Sequence, residues 1–274
     1  MDYSTTTAKT RDYYNSHDMK SFHTLIYGEN IHIGLYRNGN ESIPEANLEM
    51  LEMISSLLTL NPSNLILDIG SGYGGTARYL NKKINCRVDC LNLSEAQNEL
   101  NRELNRKQGL APFIEVIDGS FEAIPTPSEI YDVVWSQDAL LYSSDRTKVF
   151  QEVSRVLKKK GQFIFTDVMQ SDDCTAEVIK PILANVSIKS LASIKYYREL
   201  AKNFGFEEIQ VIEMPEQVIN QYQKTLEAIE QKYEELSKSC GLEFLKYQKI
   251  RLNNWIKTGK QGYLNWGILH FRKF

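Results

Sequence analysis

The chain carries no surplus charge of either sign: 32 Lys and Arg stand against 35 Asp and Glu over 274 residues, a net charge of −3. Without a basic stripe there is no footprint for a phosphate backbone, so no nucleic-acid partner is expected. Long apolar runs are missing too. Stretches such as Tyr131–Trp135 and Gln162–Thr166 fall far short of the roughly 20 residues that cross a bilayer, so no membrane association is expected. The opening MDYSTTTAKTRDYY lacks the apolar core of a secretory signal, and the expected location is the cytoplasm. Cysteine is scarce. Cys86, Cys90, Cys174 and Cys240 form no Cys-x-x-Cys and no Cys/His set, which excludes the common zinc and redox patterns and leaves free thiols as the expectation. Cys86 and Cys90 lie four apart on an expected strand, so both face the same way.

What is present is an alternation of strand and helix uninterrupted by repeats or low-complexity linkers. The first forty residues are polar and aromatic with helix-like stretches. Pro44 then opens an amphipathic helix with Leu48, Leu51, Ile54, Leu57 and Leu58 on one face, and Pro62 stops the run. Strands are expected at Leu65–Leu67, Arg87–Leu93, Phe113–Ile117, Tyr131–Trp135 and Gln162–Val168. Helices are expected at Tyr73–Lys82, Glu95–Gln108 and Arg146–Leu157. This rhythm predicts an α/β fold with a parallel sheet covered on both faces. Further on come helical stretches at Thr175–Ala184 and Ser193–Phe204 and a strand at Glu207–Ile212. One long charged helix over Glu216–Lys238, with Leu226, Ile229, Tyr233 and Leu236 inward, and another over Leu242–Lys257 precede a last strand, Trp266–Arg272. The division expected is a helical lid and lead-in helix over 1–60 and a ligand-binding domain over 61–274. The domain would carry helical cap insertions at about 170–205 and 214–260.

The chemistry starts at Asp68-Ile69-Gly70-Ser71-Gly72-Tyr73-Gly74-Gly75, which follows a strand and opens a helix. Glycines let the backbone turn tightly and approach a ligand, and the helix N-terminus offers free amides. Gly70, Gly72 and Gly75 also satisfy Gly-x-Gly-x-x-Gly, the dinucleotide fingerprint, so the neighbours must decide. Asp68 would repel a bound pyrophosphate but suits the α-ammonium of a methionine moiety. About twenty residues on, a nicotinamide cofactor calls for an acid, and the chain has Asn92. The pair of observations selects S-adenosylmethionine, and with it a Rossmann-like methyltransferase. Asp118-Gly119-Ser120-Phe121 follows the third strand, where an adenine edge is met. Ser136-Gln137-Asp138 ends the fourth, at the switch side of an open sheet.

With these elements in order, the sequence resembles the class I sarcosine/dimethylglycine N-methyltransferases, and more distantly the phosphoethanolamine N-methyltransferases. The likeness runs through Arg11-Asp12-Tyr13-Tyr14 and Asn30–Tyr36 at the start, and through Asp68–Gly75, Leu91-Asn92-Leu93, Gly119–Phe121 and Trp135–Ala139 in the middle. At the end it includes Trp255-Ile256, Trp266-Gly267 and Phe271–Lys273. It implies a mostly parallel seven-stranded sheet with helices on both faces, an N-terminal lid and a cap before the last strand. The expected cofactor residues are Asp68, Gly70, Gly72, Asn92, Leu93, Gln97, Gly119, Ser120, Phe121, Ser136 and Gln137. Asp138 falls where the phosphobase enzymes place a carboxylate near the acceptor amine. Where these relatives commonly carry a His that partners an N-terminal Tyr, this chain has Tyr142, whose ordinary pKa of about 10 bars it from acting as a base near neutrality.

Methyl transfer from a sulfonium is an in-line displacement, so a protein mainly aligns the nucleophile and excludes water. Candidate catalytic residues are Tyr14, His32, Asp138 and Tyr142. Aromatic faces suit a methylated ammonium, and Tyr27, Tyr36, Tyr197 and Trp266 are candidates, with Arg198 for an acceptor carboxylate. The expected acceptor is a small molecule, foremost the amine of sarcosine or dimethylglycine, with O- or C-methylation of a specialised metabolite as the alternative. The expected assembly is a monomer or homodimer.

Overall fold

A computed structural model describes residues 4–183 and 188–274. Two short helices come first, α1 (Thr5–Asn15) and α2 (His17–Ile26), each opened by a serine hydroxyl that accepts from the backbone amide three residues on: Ser4 from Thr7, Ser16 from Met19. An extended segment leads to α3 (Ile43–Ser56), started by a capping box between Ser42 and Glu45 with Pro44 in its first turn. Strands and helices then alternate through β1 (Leu65–Ile69), α4 (Gly75–Ile84), β2 (Arg87–Asn92), α5 (Glu95–Lys107), β3 (Ile114–Asp118), β4 (Tyr131–Gln137), α6 (Arg146–Val156) and β5 (Leu157–Gln170). After α7 (Ala176–Leu183) and α8 (Ile194–Asn203) comes β6 (Phe206–Glu213). Three helices, α9 (Glu216–Gln231), α10 (Tyr233–Ser239) and α11 (Leu242–Lys260), then precede β7 (Leu264–Lys273).

The seven strands form one sheet in the order β3-β2-β1-β4-β5-β7-β6, parallel except for β7, which runs antiparallel to both β5 and β6. The expected α/β architecture with a mostly parallel seven-stranded sheet is the one observed. Strand alternation sends Ile66, Val133, Ile164 and Ile268 into a cluster with α3 and α4. Their neighbours Leu67, Val134, Phe165 and Leu269 enter a second cluster with α6 and α8. A third cluster joins Met19, Phe22 and Ile26 of α2 to Ile229, Leu236, Leu245 and Leu252 of α9–α11, so the N-terminal helix docks on the helices inserted before β7. Because β2 and β3 lie on one side of β1 and β4 onward on the other, the crevice at the strand ends opens between β1 and β4. No helix among the described residues is long and apolar enough to cross a membrane.

Several expectations need correction. The helix expected from Tyr73 begins at Gly75, because Gly74 adopts φ +77 and keeps Tyr73 in the turn. The fifth strand starts at Leu157 rather than Gln162: Lys158–Lys160 continue it past a register shift opposite Tyr131 and Val133. The single helix over Glu216–Lys238 is two, broken at Lys232, which caps α9 and donates to the Leu25 carbonyl. The break turns Tyr233 outward to 44% exposure, beneath the Lys249 ammonium. Leu48, placed inward by its spacing, is 51% exposed, and Ile43, Met50, Leu51 and Ile54 form the buried face of α3 instead. The helix expected over Thr175–Ala184 runs to Leu183, and Ala184 lies outside the described residues.

The packing of α3 is directly testable. Ile54→Ala should cost about 2–5 kcal/mol in urea unfolding, as buried isoleucines do, whereas Leu48→Ala should stay within about 0.5 kcal/mol. Equal losses at the two positions would contradict the face assigned to this helix.

Candidate active site

At the end of β1 the chain turns sharply. Gly70 sits at φ +77, where a side chain would both strain the backbone and overlap Ala139, and the Gly70 and Ser71 amides bond the Leu91 carbonyl of β2 at 2.8 and 3.3 Å. The turn forms the floor of a cleft of about 740 Å³ whose walls include Gly72, Asn92, Leu93, Gln97, Ser120 and Phe121, with α1 as its roof through Thr7, Thr10, Arg11 and Tyr14. A smaller recess of about 300 Å³, lined by Asp68, Gly70, Ser71, Thr76 and Gln137, continues from it beneath Ile31 and His32. Asp68 is 3% exposed, and burial pushes its carboxyl up to about 7. Its Oδ2 has no partner within the protein.

Two amides share that condition. Asn92 donates to Gln97 Oε1 at 3.0 Å, which leaves Gln97 Nε2 unbonded. Gln137 Oε1 accepts from Trp135 Nε1 at 3.0 Å and from Thr76 Oγ1 at 3.1 Å, which leaves Gln137 Nε2 unbonded. Buried polar atoms without partners are costly unless a ligand completes them. Gly119 and Ser136, expected here as well, stand just behind the wall. Gly119 packs against Leu91 and Pro125, and the Ser136 hydroxyl donates to the Ile69 carbonyl at 2.8 Å, tying β4 to β1.

Beyond the cleft lies a second cavity of about 600 Å³, whose walls include Tyr13, His23, Tyr27, Val168, Tyr222 and Arg251. The two cavities share Tyr14, Ile31, Asp138 and Tyr142, so these four residues form the threshold between them. Asp138 adopts φ +52, uncommon for a residue with a side chain. Its Oδ1 accepts from Trp266 Nε1 at 2.7 Å and Thr166 Oγ1 at 3.1 Å, and its Oδ2 from the Ile33 amide at 2.7 Å. Burial raises its carboxyl to about 6 despite these three donors. Tyr14 and Tyr142 meet edge-on with centroids 5.4 Å apart. Burial and their mutual hydrogen bond raise Tyr14 far above its ordinary range, and burial takes Tyr142 to about 12, so both are neutral phenols.

His32 donates from Nδ1 to the Ile33 carbonyl at 3.2 Å, which fixes the tautomer and leaves Nε2 as a bare lone pair. Burial lowers it to about 4. Tyr27 lines the second cavity with its hydroxyl on Thr225 at 2.9 Å. The remaining expected substrate residues lie elsewhere. Tyr36 is buried with its hydroxyl donating to Gln221 at 3.1 Å, and Trp266 presents its indole N–H to Asp138 instead of a face to the cavity. Tyr197 is enclosed on the opposite face of the sheet, stacked on Phe150 and bonded to Asp167 at 2.5 Å. Arg198 is a surface residue paired with Glu208 at 2.7 Å, so it cannot reach an acceptor. Sequence reasoning missed His23 on α2 and also Gln221, Tyr222 and Arg251, which come from helices distant in the chain. Gln221 accepts from the Gly34 amide and the Tyr36 hydroxyl and so anchors the segment that carries His32.

The methyltransferase-domain family matches residues 67–165. The sarcosine/dimethylglycine N-methyltransferase of Aphanothece halophytica is 43% identical over 97% of this chain and 96% of its own length. That of Halorhodospira halochloris is 43% identical over 96% and 95%. The chain belongs to the sarcosine/dimethylglycine N-methyltransferase family. A solved structure described as a sarcosine dimethylglycine methyltransferase from Galdieria sulphuraria superimposes with a TM-score of 0.91 at 38% identity, covering 95% of this chain and 98% of that one. This member of the family is therefore a methyltransferase dependent on S-adenosylmethionine. The cleft fits that cofactor: a partnerless buried carboxylate oxygen and two partnerless amide NH2 groups surround a floor of glycines.

The buried Asp68 yields a pH test. Below about pH 7 its carboxyl is protonated in the free protein, so binding the cationic amine of S-adenosylhomocysteine there requires loss of a proton. Affinity should therefore climb between about pH 6 and pH 7, by up to tenfold per unit, and level off above. His23 and His32, held at about 3 and about 4, stay neutral over that range. Titration calorimetry should show this rise in the wild type, whereas Asp68→Asn should bind more weakly and keep no rise near pH 7, where Asp138, which titrates near 6, is already largely ionised.

Proposed function

We propose that the protein methylates the amine nitrogen of sarcosine and dimethylglycine, giving dimethylglycine and glycine betaine. The observation that carries this reading is the threshold of Tyr14, Ile31, Asp138 and Tyr142, where a cofactor cleft opens into a second cavity walled by tyrosines. Aromatic faces take up a methylated ammonium, and a cavity of this size suits a small acceptor. Family membership at 43% identity over nearly the whole length supports the same acceptor.

Bound S-adenosylmethionine supplies an electrophilic methyl on a sulfonium. Asp68, Asn92, Gln97 and Gln137 hold the cofactor, with Asp68 on its ammonium. Tyr14 and Tyr142 act as neutral phenols that confine and orient the acceptor nitrogen. Asp138 and His32 offer it an ionised carboxylate and a bare imidazole nitrogen. The nitrogen must be neutral to attack, and these two groups are proton acceptors that line the cavity, beside the neutral His23. Alignment rather than strong base catalysis is the main contribution.

In this reading α1 is the lid. Asn15 latches it to the cofactor side: its Oδ1 accepts from Ser94 Oγ at 2.7 Å and the Ala96 amide at 3.2 Å, and its Nδ2 donates to Glu95 at 2.7 Å. We place the reaction in the cytoplasm, a reading that the free thiols of Cys86, Cys90, Cys174 and Cys240 support.

A methyl-transfer assay read by mass spectrometry should give turnover on sarcosine and dimethylglycine and none on glycine. Inactivity on both methylated amines would overturn the assignment. Asn15→Ala should speed dissociation of S-adenosylhomocysteine about tenfold, in line with the loss of two or three hydrogen bonds. An unchanged dissociation rate in stopped-flow measurements would remove the latch.

A further inference from the structure

Arg251 on α11 projects into the tyrosine-walled cavity from the side of the inserted helices. Its Nε donates to Gln248 Oε1 at 3.0 Å, and Gln248 in turn donates from Nε2 to the Tyr13 hydroxyl at 3.1 Å, so the guanidinium is held in place by a neutral relay. Among the described residues no carboxylate lies within 4 Å of it. Other arginines of the interior are bonded more fully, although the Arg146 Nε has no partner. Arg78 pairs with Glu29 at 2.8 Å and donates to Asn101 and Asn105, and Arg146 donates to the Ser190 carbonyl at 2.7 Å. Tyr13, Tyr27, Tyr142 and Tyr222 line the same cavity. Burial works against the charge, but a guanidinium stays a cation at any working pH. Arg251 is half-buried, and a cation partly withdrawn from water with no carboxylate beside it is poised to pair with an anionic ligand. A guanidinium fork matches a carboxylate in two parallel hydrogen bonds.

Asp138 lines the same cavity at the threshold to the cofactor cleft, where a negative charge suits a cationic or hydrogen-bonding nitrogen. A positive group on the side of the inserted helices and a negative one at the threshold fit a zwitterion with its carboxylate toward α11 and its amine toward the cofactor. We infer that Arg251 is the carboxylate anchor of the acceptor site and the residue that selects N-methylated amino acids over amines lacking a carboxylate. The inference rests on the acceptor reading above. It adds that the choice of acceptor is made by a residue on the last long helix, far in sequence from the cofactor motifs.

The test compares Arg251→Gln and Arg251→Lys with the wild type on dimethylglycine and on N,N-dimethylethanolamine, which keeps the amine and replaces the carboxylate by a hydroxymethyl group. The wild type should strongly prefer dimethylglycine. Arg251→Gln should raise KM for it by roughly 30- to 1,000-fold, as expected for removing one partner of a desolvated charge pair. Its kcat should stay within about threefold, the pattern of a lost uniform binding contact. Arg251→Lys should recover part of the loss, and affinity for S-adenosylhomocysteine should be unchanged in both variants. A readout independent of turnover is binding of glycine betaine against choline, each to wild type saturated with S-adenosylhomocysteine: betaine should bind and choline should not. Equal binding of the two would overturn the anchor even if neither variant folds. A wild type active on dimethylglycine beside an Arg251→Gln with an unaltered KM would overturn the anchor alone. A wild type inert on both sarcosine and dimethylglycine would overturn the acceptor reading and this inference with it.

Discussion

The site hangs on one carboxylate at the end of the fourth strand. Asp138 follows Gln137 into a left-handed backbone conformation that an L-residue adopts at a cost of about 1–2 kcal/mol. Three hydrogen bonds offset that cost, and each ties a different part of the chain to the strand end: Ile33 from the N-terminal segment, Thr166 from β5 and Trp266 from β7. Bonds to a charged acceptor contribute about 1.5–3 kcal/mol apiece, enough to hold the conformation and to keep the carboxyl within reach of ionisation at neutral pH. Burial still outweighs them, since the group titrates near 6 rather than in the ordinary carboxylate range. Without this joint, the segment that roofs both cavities would have no fixed height above the sheet.

That segment shows how the joint is reinforced. From Ile33 to Tyr36 successive amides are taken by Asp138, Gln221, the Ala46 carbonyl and Gln217. Gly34 lies so close to α3 that any side chain would overlap Ala46. The extended strap therefore runs between α9 and α3 with its backbone bonded to side chains, an arrangement that satisfies buried amides without a sheet. Further back, Glu29 reaches Arg78, which also holds Asn101 and Asn105 on α5. A polar interior at this place, where an apolar one would pack as well, links the strap to the helix whose first turn faces the cofactor cleft.

The cofactor half was legible in the chain because it is local. Asp68, the glycine turn and Asn92 lie within twenty-five residues, and a strand–turn–helix places them by its own geometry. The acceptor half was legible only in part. Tyr14, Tyr27, His32, Asp138 and Tyr142 do meet at the second cavity. Tyr197 and Arg198 do not, because a tyrosine pair at a helix start says which one is buried but not on which face of the sheet. Arg251 had no signal at all: in a charged helix, periodicity cannot tell an arginine over a cavity from one over solvent. Tyr233 failed because the helix breaks at Lys232, and Leu48 because its spacing joins it to Leu51 at the margin of the buried face without placing it inside that face.

The departure at Tyr142 acquires a physical meaning once the two cavities are seen together. The N-terminal tyrosine does find a partner there, but the pair consists of two phenols that stay protonated, so neither removes a proton from the acceptor. What takes the place of a base in that pair on the proposed reading is Asp138, whose carboxyl titrates near 6, together with the bare His32 nitrogen, both of which offer places for the proton to go. A methyl acceptor needs only its lone pair free at the moment of displacement. A site that takes up one proton and fixes the nitrogen's direction toward the cofactor meets that need.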